Sequence, residues 1–288
     1  MISKLKTLFS YDYNRKKPIE ALIRLLKWKQ AKNQNQKLKY TFWGNRSIYC
    51  YPDSTSSMWL IYSYFYDKKE FVFLSKYLKN TDTVFDIGAN IGIYSLWMSK
   101  FVEDGKIIAF EPDPKNHQRC KEQLLVNNLQ HIVLEDIALA DQNGILEFSI
   151  GKDMENHLLL NIKESKALNS IEVKSQKMDD YCQEENISSL DFVKIDVEGA
   201  EKFVFEGANK LLTSQKIKCI LLEVNQQQEK FDTGKKDVAA ILREAGYSFY
   251  DYNYHKNKLI PLTNLPQDTH INILAIADID YVRNRINT

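Results

Sequence analysis

Between Thr83 and Ser95 the chain runs apolar up to Asp86, turns through glycine, and then repeats apolar side chains at helical spacing (Ile93, Leu96, Trp97, Phe101). That pattern predicts strand, tight turn and helix, the opening unit of a parallel α/β sheet. Similar short apolar runs follow at 106–112, 131–139, 191–197 and 219–225, and each ends in polar or acidic residues. Asp113-Pro114 supplies a helix cap and first-turn proline after the second run. Helical spacing returns at Val204, Ala208, Leu211 and Leu212, and again at Val238, Ile241, Leu242 and Ala245, where Gly246 can cap the end. Two further strands are predicted at 247–252 and 271–276, around a polar loop. Residues 144–178 insert an antiparallel pair, 145–150 and 171–175, around another polar loop.

Ahead of this unit the pattern differs. Pro18 can open a helix whose stripe is Ile19, Leu22, Ile23, Leu26 and Trp28. Trp43-Gly44-Asn45-Arg46 reads as a turn between short strands, and Glu70 to Leu78 as a short helix. The expected division is an N-terminal helical/β extension over 1–70 and a catalytic α/β domain over 71–288.

Composition changes this picture little. A chain of 288 residues with 44% hydrophobic residues suits one large α/β domain plus an extension. Its formal charge of +1 argues neither for nor against a nucleic-acid partner, and none is expected. Four cysteines (Cys50, Cys120, Cys182, Cys219) form no metal spacing, which suits free thiols in a reducing, cytoplasmic setting. The exception is residues 1–39, where eleven Lys/Arg face two acids, a local net charge of +9. Such a helix either packs on its own domain or on a second copy in a homo-oligomer, or lies peripherally on an anionic membrane.

The chemistry sits at the strand ends. In Asp86-Ile87-Gly88-Ala89-Asn90-Ile91-Gly92 the acid precedes the first glycine, unlike the G-x-G-x-x-G turn that cradles a diphosphate. A carboxylate there repels a diphosphate and suits a ligand with an ammonium or sulfonium charge, such as S-adenosylmethionine. The structural alternative is that Asp86 caps a helix and the glycines only turn the chain. Glu111 falls 25 residues beyond Asp86, about where a nucleoside-binding fold places the carboxylate for ribose hydroxyls. Lys194, Asp196, Glu198 and Glu201 put four charges into eight residues at the end of a buried strand. Charges near a core must be paired or do chemistry, so they are either a salt bridge or a substrate and proton-transfer site. Glu223 and Asn225 share one side of the next strand and can support them. With Asp196 they make a loose oxygen set, and no metal is assigned to it. His157, in the inserted loop, is a substrate-contact or base candidate against the plainer reading of a solvated histidine.

Val84 to Gly92, together with Val193-Lys194-Ile195-Asp196-Val197-Glu198-Gly199-Ala200-Glu201, resembles the FkbM-type S-adenosylmethionine-dependent methyltransferases over roughly residues 71 to 280. The resemblance implies a Rossmann-like, seven-stranded, mostly parallel sheet with an antiparallel last strand and helices on both faces. It implies that Asp86, Gly88, Ala89, Asn90 and Gly92 shape the methionine end of the donor site, with Glu111 on ribose. It also implies an adenine contact near the third strand's end, where Asp136 is the candidate and Glu135 its competitor. The expected reaction is methyl transfer to a hydroxyl of a small molecule, glycan or lipid-linked sugar, with Asp196 and Glu198 removing the proton or orienting the acceptor. The rivals are a nicotinamide-dependent oxidoreductase and a non-catalytic membrane-surface or assembly protein.

Overall fold

The computed structural model describes residues 2–65, 67–149, 157–158, 170–224, 235–263 and 271–288. Three helices, α1 (Ile2–Ser10), α2 (Asp12–Lys16) and α3 (Pro18–Asn33), lead into the hairpin β1 (Leu38–Phe42) and β2 (Arg46–Cys50). Trp43 and Gly44 take φ of 53° and 85° in its turn. Then come α4 (Thr55–Ser63), capped by the Ser54 side chain, and α5 (Lys68–Tyr77).

The α/β unit begins with β3 (Thr83–Ile87), α6 (Ile93–Met98), β4 (Lys106–Phe110), α7 (Pro114–Val126) and β5 (Val133–Glu135). A side sheet follows from β6 (Ile137–Leu139), β7 (Gly144–Ser149), β8 (His157–Leu158) and β9 (Ser170–Gln176), in the order β6-β9-β7-β8. The run predicted as a third strand therefore divides at Asp136, its first half in the main sheet and its second in the side sheet. The chain continues through α8 (Met178–Glu184), β10 (Phe192–Ile195), α9 (Glu201–Glu206), α10 (Asn209–Thr213), β11 (Cys219–Val224), α11 (Lys235–Glu244), β12 (Ser248–Asn253), β13 (Lys258–Leu262), β14 (Ile271–Ile276) and α12 (Ile279–Asn287).

The main sheet runs β13-β12-β14-β11-β10-β3-β4-β5. From β5 to β11 the strands are parallel, and β14 is antiparallel to both its neighbours. Seven of these strands match the expected set; β13 is an eighth, inside the stretch read as polar loop. Pro261 interrupts its apolar pattern, and an edge strand tolerates that proline. The helix expected across Val204 and Leu212 is broken into α9 and α10. A Cβ at Gly207 would lie 2.0 Å from the Ala140 carbonyl oxygen, so two backbones touch there.

Side-chain alternation divides the sheet between two cores. Val84, Phe192 and Leu221 face one, with the aromatic lead-in, α5, α6 and α12. Phe85, Val193, Ile195 and Leu222 face the other, with α8 to α11. Trp28, Phe42, Trp43 and Tyr64 share the first core with Leu96 and Trp97, so the extension and the sheet pack on one apolar cluster. Its base is fastened from far along the chain: Arg285 of α12 donates to Asp82 (2.6 Å) and to the Tyr77 carbonyl (2.9 Å).

Packing of α3 departs from the expected stripe. Ala21, Arg24, Trp28 and Ala31 are buried, while Ile19, Leu22, Ile23 and Leu26 are exposed. The cause is Arg24, fully buried, whose Nε donates to the Ile61 carbonyl (2.8 Å) and whose Nη2 donates to Asn14 (2.6 Å). Those bonds turn the helix so that four aliphatic side chains face outward. Among the described residues no helix is long and apolar enough to cross a membrane.

Candidate active site

A cleft open to solvent lies at the carboxyl ends of β3, β4 and β10. This is the position where open α/β sheets bind ligands. Its walls include Gly88, Ala89 and Asn90 from the first turn, Glu111 just after β4, Ile137 to Leu139 from β6, Lys194 from β10, and Asp196 and Glu198 just after it. Ser56 and Tyr94 complete it.

Gly88 shows why the first turn needs glycine. Its φ is +75°, and a Cβ there would sit 1.9 Å from the Asp196 carbonyl oxygen, so the turn after β3 rests on the backbone after β10. Gly92, at φ +81°, would press a Cβ to 2.7 Å from the Cys120 sulfur of α7. The Glu111 carboxylate accepts from the Asn90 N–H (2.6 Å) and the Asp113 N–H (2.9 Å), which joins the two turns. Burial pushes its pKa up to about 8, against those two donors.

Parity and register collect the charges. Lys194 pairs with Asp86 across β10 and β3, with both side chains on the first-core side. Lys194 Nζ donates to Asp196 (3.0 Å) and lies 4.7 Å from the Tyr94 ring centroid. Burial alone would push Lys194 down; Asp196, Asp86 and Glu223 outweigh it and raise its pKa, keeping it ammonium. Tyr94 donates to Asp67 (2.6 Å). Asp67 is raised to about 7, first by burial and then by Glu70. Glu223 is raised to about 10, by burial and by the adjacent Asp196 and Glu198, so this acid cluster holds a shared proton at neutral pH.

The expected site residues separate accordingly. Glu111, Gly88, Ala89, Asn90, Lys194, Asp196 and Glu198 share the cleft wall. Asp86 is fully buried behind it: one oxygen accepts from Ser95 (2.6 Å), the other has no hydrogen bond among the described residues, and burial raises its pKa. Asp136 is exposed and outside the wall, because the strand breaks there and it is Ile137 and Ala138 that face the cleft. Glu201 is buried and accepts from the Gly199 N–H (3.1 Å), fastening its own turn. Glu223 stands beside Asp196, and with Glu198 the three present oxygens within 4.8 Å of one another. That spacing meets the minimum for a hard cation, while Lys194 already places a positive charge on Asp196. His157 lies in β8 opposite Ser149, but its side chain is outside the described residues, as is all of Asn225.

Sequence reasoning missed Ser56, Asp67 and Tyr94. Ser56 and Asp67 come from the aromatic lead-in, where no local spacing marks them. Tyr94 could have been found, since it follows the glycine turn at a helical position on the side of Asp86.

Residues 86–249 match the family profile described as the methyltransferase FkbM domain. The 2-O-methyltransferase NoeI of Sinorhizobium fredii (strain NBRC 101917 / NGR234) is 29% identical over 164 residues, 52% of this chain and 66% of that protein. Methyltransferase sdnD of Sordaria araneosa is 24% identical over 162 residues, 46% of this chain and 62% of that protein. The matched region thus spans about two thirds or less of these relatives. Among solved structures, methyltransferase FkbM from Methylobacillus flagellatus KT superposes with a TM-score of 0.44 at 13% identity, covering 77% of this chain and 53% of that one.

Proposed function

Because this chain belongs to the methyltransferase FkbM family, we propose that it moves a methyl group from S-adenosylmethionine to a hydroxyl oxygen of a glycan, glycolipid or related small molecule. The cofactor of the family displaces the nicotinamide alternative. The cleft fits the donor: Gly88 lets the first turn close against the Asp196 backbone, and among the described lining residues Glu111, Asp196 and Glu198 outnumber the ammonium of Lys194 around a ligand that carries a sulfonium. When bound, S-adenosylmethionine supplies an electrophilic methyl carbon.

The observation that carries the reading is the placement of Glu111 and the Asp196–Glu198 pair in one cleft wall. Glu111 would accept from the vicinal hydroxyls of the nucleoside, two acceptor oxygens for a diol. The Gly88-Ala89-Asn90 turn would border the amino-acid end, with Asp86 beneath it balancing Lys194. Asp136 keeps an adenine role only by moving toward the cleft, and the Ile137–Ala138 backbone is the nearer partner. An alcohol is a poor nucleophile until its proton leaves, so a carboxylate at the acceptor end is suitable equipment. Glu198, which shares the cleft wall with Asp196, is the residue proposed to take the proton, with Asp196, held by Lys194, orienting the acceptor. Support for oxygen as the acceptor atom comes from the relative named as a 2-O-methyltransferase.

The test is incubation with methyl-labelled donor and glycan or glycolipid extracts, followed by identification of the labelled product. Glu198→Ala should lower turnover while S-adenosylhomocysteine affinity stays near wild type. An unchanged rate refutes its role, and labelling on nitrogen or carbon alone refutes the reaction class.

A further inference from the structure

Helix α3 carries two apolar faces. One is the packed face of Ala21, Trp28 and Ala31; the other points to solvent with Ile19 74% exposed, Leu26 67%, Ile23 44% and Leu22 38%. These four follow i, i+3, i+4, i+7 spacing and cover an arc of roughly 100°. Lys27 and Lys29 fall on the two shoulders of that arc, and Lys16 lies just before it. Among the described residues none of these three lysines is paired with a carboxylate. A monomer in water gains nothing from this stripe, and a protein rarely leaves such a patch without a use.

We infer that the outer face of α3 is a docking surface for an anionic lipid bilayer. Charge decides the occupant. A second copy packed face to face would bring lysine shoulders against lysine shoulders. Glu20 is the only acid in α3, and it is already engaged by Tyr13 (2.9 Å) and Lys17 (3.5 Å). An anionic headgroup layer instead receives the aliphatic side chains between its acyl tops and pairs its phosphates with the lysines. Arg24 belongs to the opposite role: buried and bonded to Asn14 and Ile61, it fixes the rotation that turns the stripe outward.

Helix α4 connects this surface to the cleft. Its Ile61 carbonyl receives Arg24, while Ser56 near its start lines the cleft and donates to Asn90 (3.4 Å). Five residues of helix separate these two points, a rise of about 7.5 Å. A lipid-seated α3 therefore holds the cleft near the headgroup layer, where a lipid-linked acceptor would be presented. The binding itself stands apart from the proposed methyl transfer, because it needs neither donor nor acceptor.

The experiment is sedimentation of the full chain with phosphatidylcholine vesicles, with and without phosphatidylglycerol, alongside sedimentation velocity without lipid. Wild type should bind only the vesicles containing phosphatidylglycerol, and added salt should weaken it. Ile19→Ser/Leu26→Ser should cut vesicle affinity at least about tenfold. Lys27→Ser/Lys29→Ser should do likewise, since each basic residue near an anionic surface is worth roughly fivefold. Both pairs are exposed, so melting curves should match wild type. Absence of binding, equal binding to both vesicle types, or undiminished binding by either variant overturns the inference. So does a wild-type dimer that Ile19→Ser/Leu26→Ser dissociates, which would assign the face to a second copy. Failure here leaves the methyl-transfer proposal untouched, because no donor is present in the assay.

Discussion

Lys194→Met keeps most of the side-chain volume and removes the charge at the centre of the acidic strand ends. Lys194 is buried, donates to Asp196 at 3.0 Å and faces the fully buried Asp86. Taking one partner from a buried ion pair leaves an uncompensated charge, which costs about 3–5 kcal/mol. The loss should depend on pH, and its sign follows from the carboxylates. Burial already raises Asp86 above the ordinary aspartate range, and Lys194 pulls it back; without the ammonium its pKa climbs further. An acid whose folded pKa exceeds its unfolded one destabilises the fold increasingly as pH rises from the unfolded value through the folded one. Each pH unit in that window is worth at most about 1.4 kcal/mol per proton. Urea unfolding should therefore show a larger penalty at about pH 8 than at about pH 5. Adding Asp86→Asn, whose amide oxygen can still accept from Ser95, should recover about 1–3 kcal/mol. A loss below about 1 kcal/mol, or one equal at both pH values, would show that Lys194 is not the counter-charge for these acids.

Above about pH 8, Glu111→Gln should weaken S-adenosylhomocysteine about 10- to 100-fold by calorimetry, because there a charged acceptor is replaced by a neutral one. Wild-type affinity should rise as pH passes upward through about 8, where the Glu111 carboxyl ionises, and the glutamine variant should lack that rise. Gly88→Ala places a methyl 1.9 Å from a backbone oxygen at positive φ, so it should cost about 2–4 kcal/mol in unfolding free energy and reduce cofactor affinity. Asp67→Asn removes an acid held up to about 7, so its stability relative to wild type should improve as pH rises from the ordinary aspartate range through about 7. Melting temperatures across that range check it, and a constant difference would remove Asp67 from the charge network.

The parallel core of the fold was legible because its strands are short apolar runs with acids at their ends. Alternation alone placed only Glu223 and Asn225 on a common side, and the register of β10 on β3 was needed to bring Lys194 to Asp86. Register, which no local pattern states, was needed to bring Glu223 to Asp196. The reading failed where one residue changed the course of the backbone: Asp136 separates two sheets, and Gly207 separates two helices. It failed for α3 because periodicity identifies an apolar stripe but not what covers it. Arg24, counted with the surface charge, proved to be the anchor that sends the stripe outward. Ser56 reaches the cleft, and Asp67 reaches Tyr94, only through tertiary packing, so nothing near them in sequence announces the role.

The Arg285 clamp has a consequence for how the molecule is made. Asp82 and Tyr77, which it holds, immediately precede the strand that carries Asp86, yet their partner is about two hundred positions later. Contacts of that span close slowly, because a long loop must be ordered before they form. On the ribosome, this clamp on the segment before β3 must therefore wait until α12 emerges. The molecule's earliest-made centre is among the last parts to be secured.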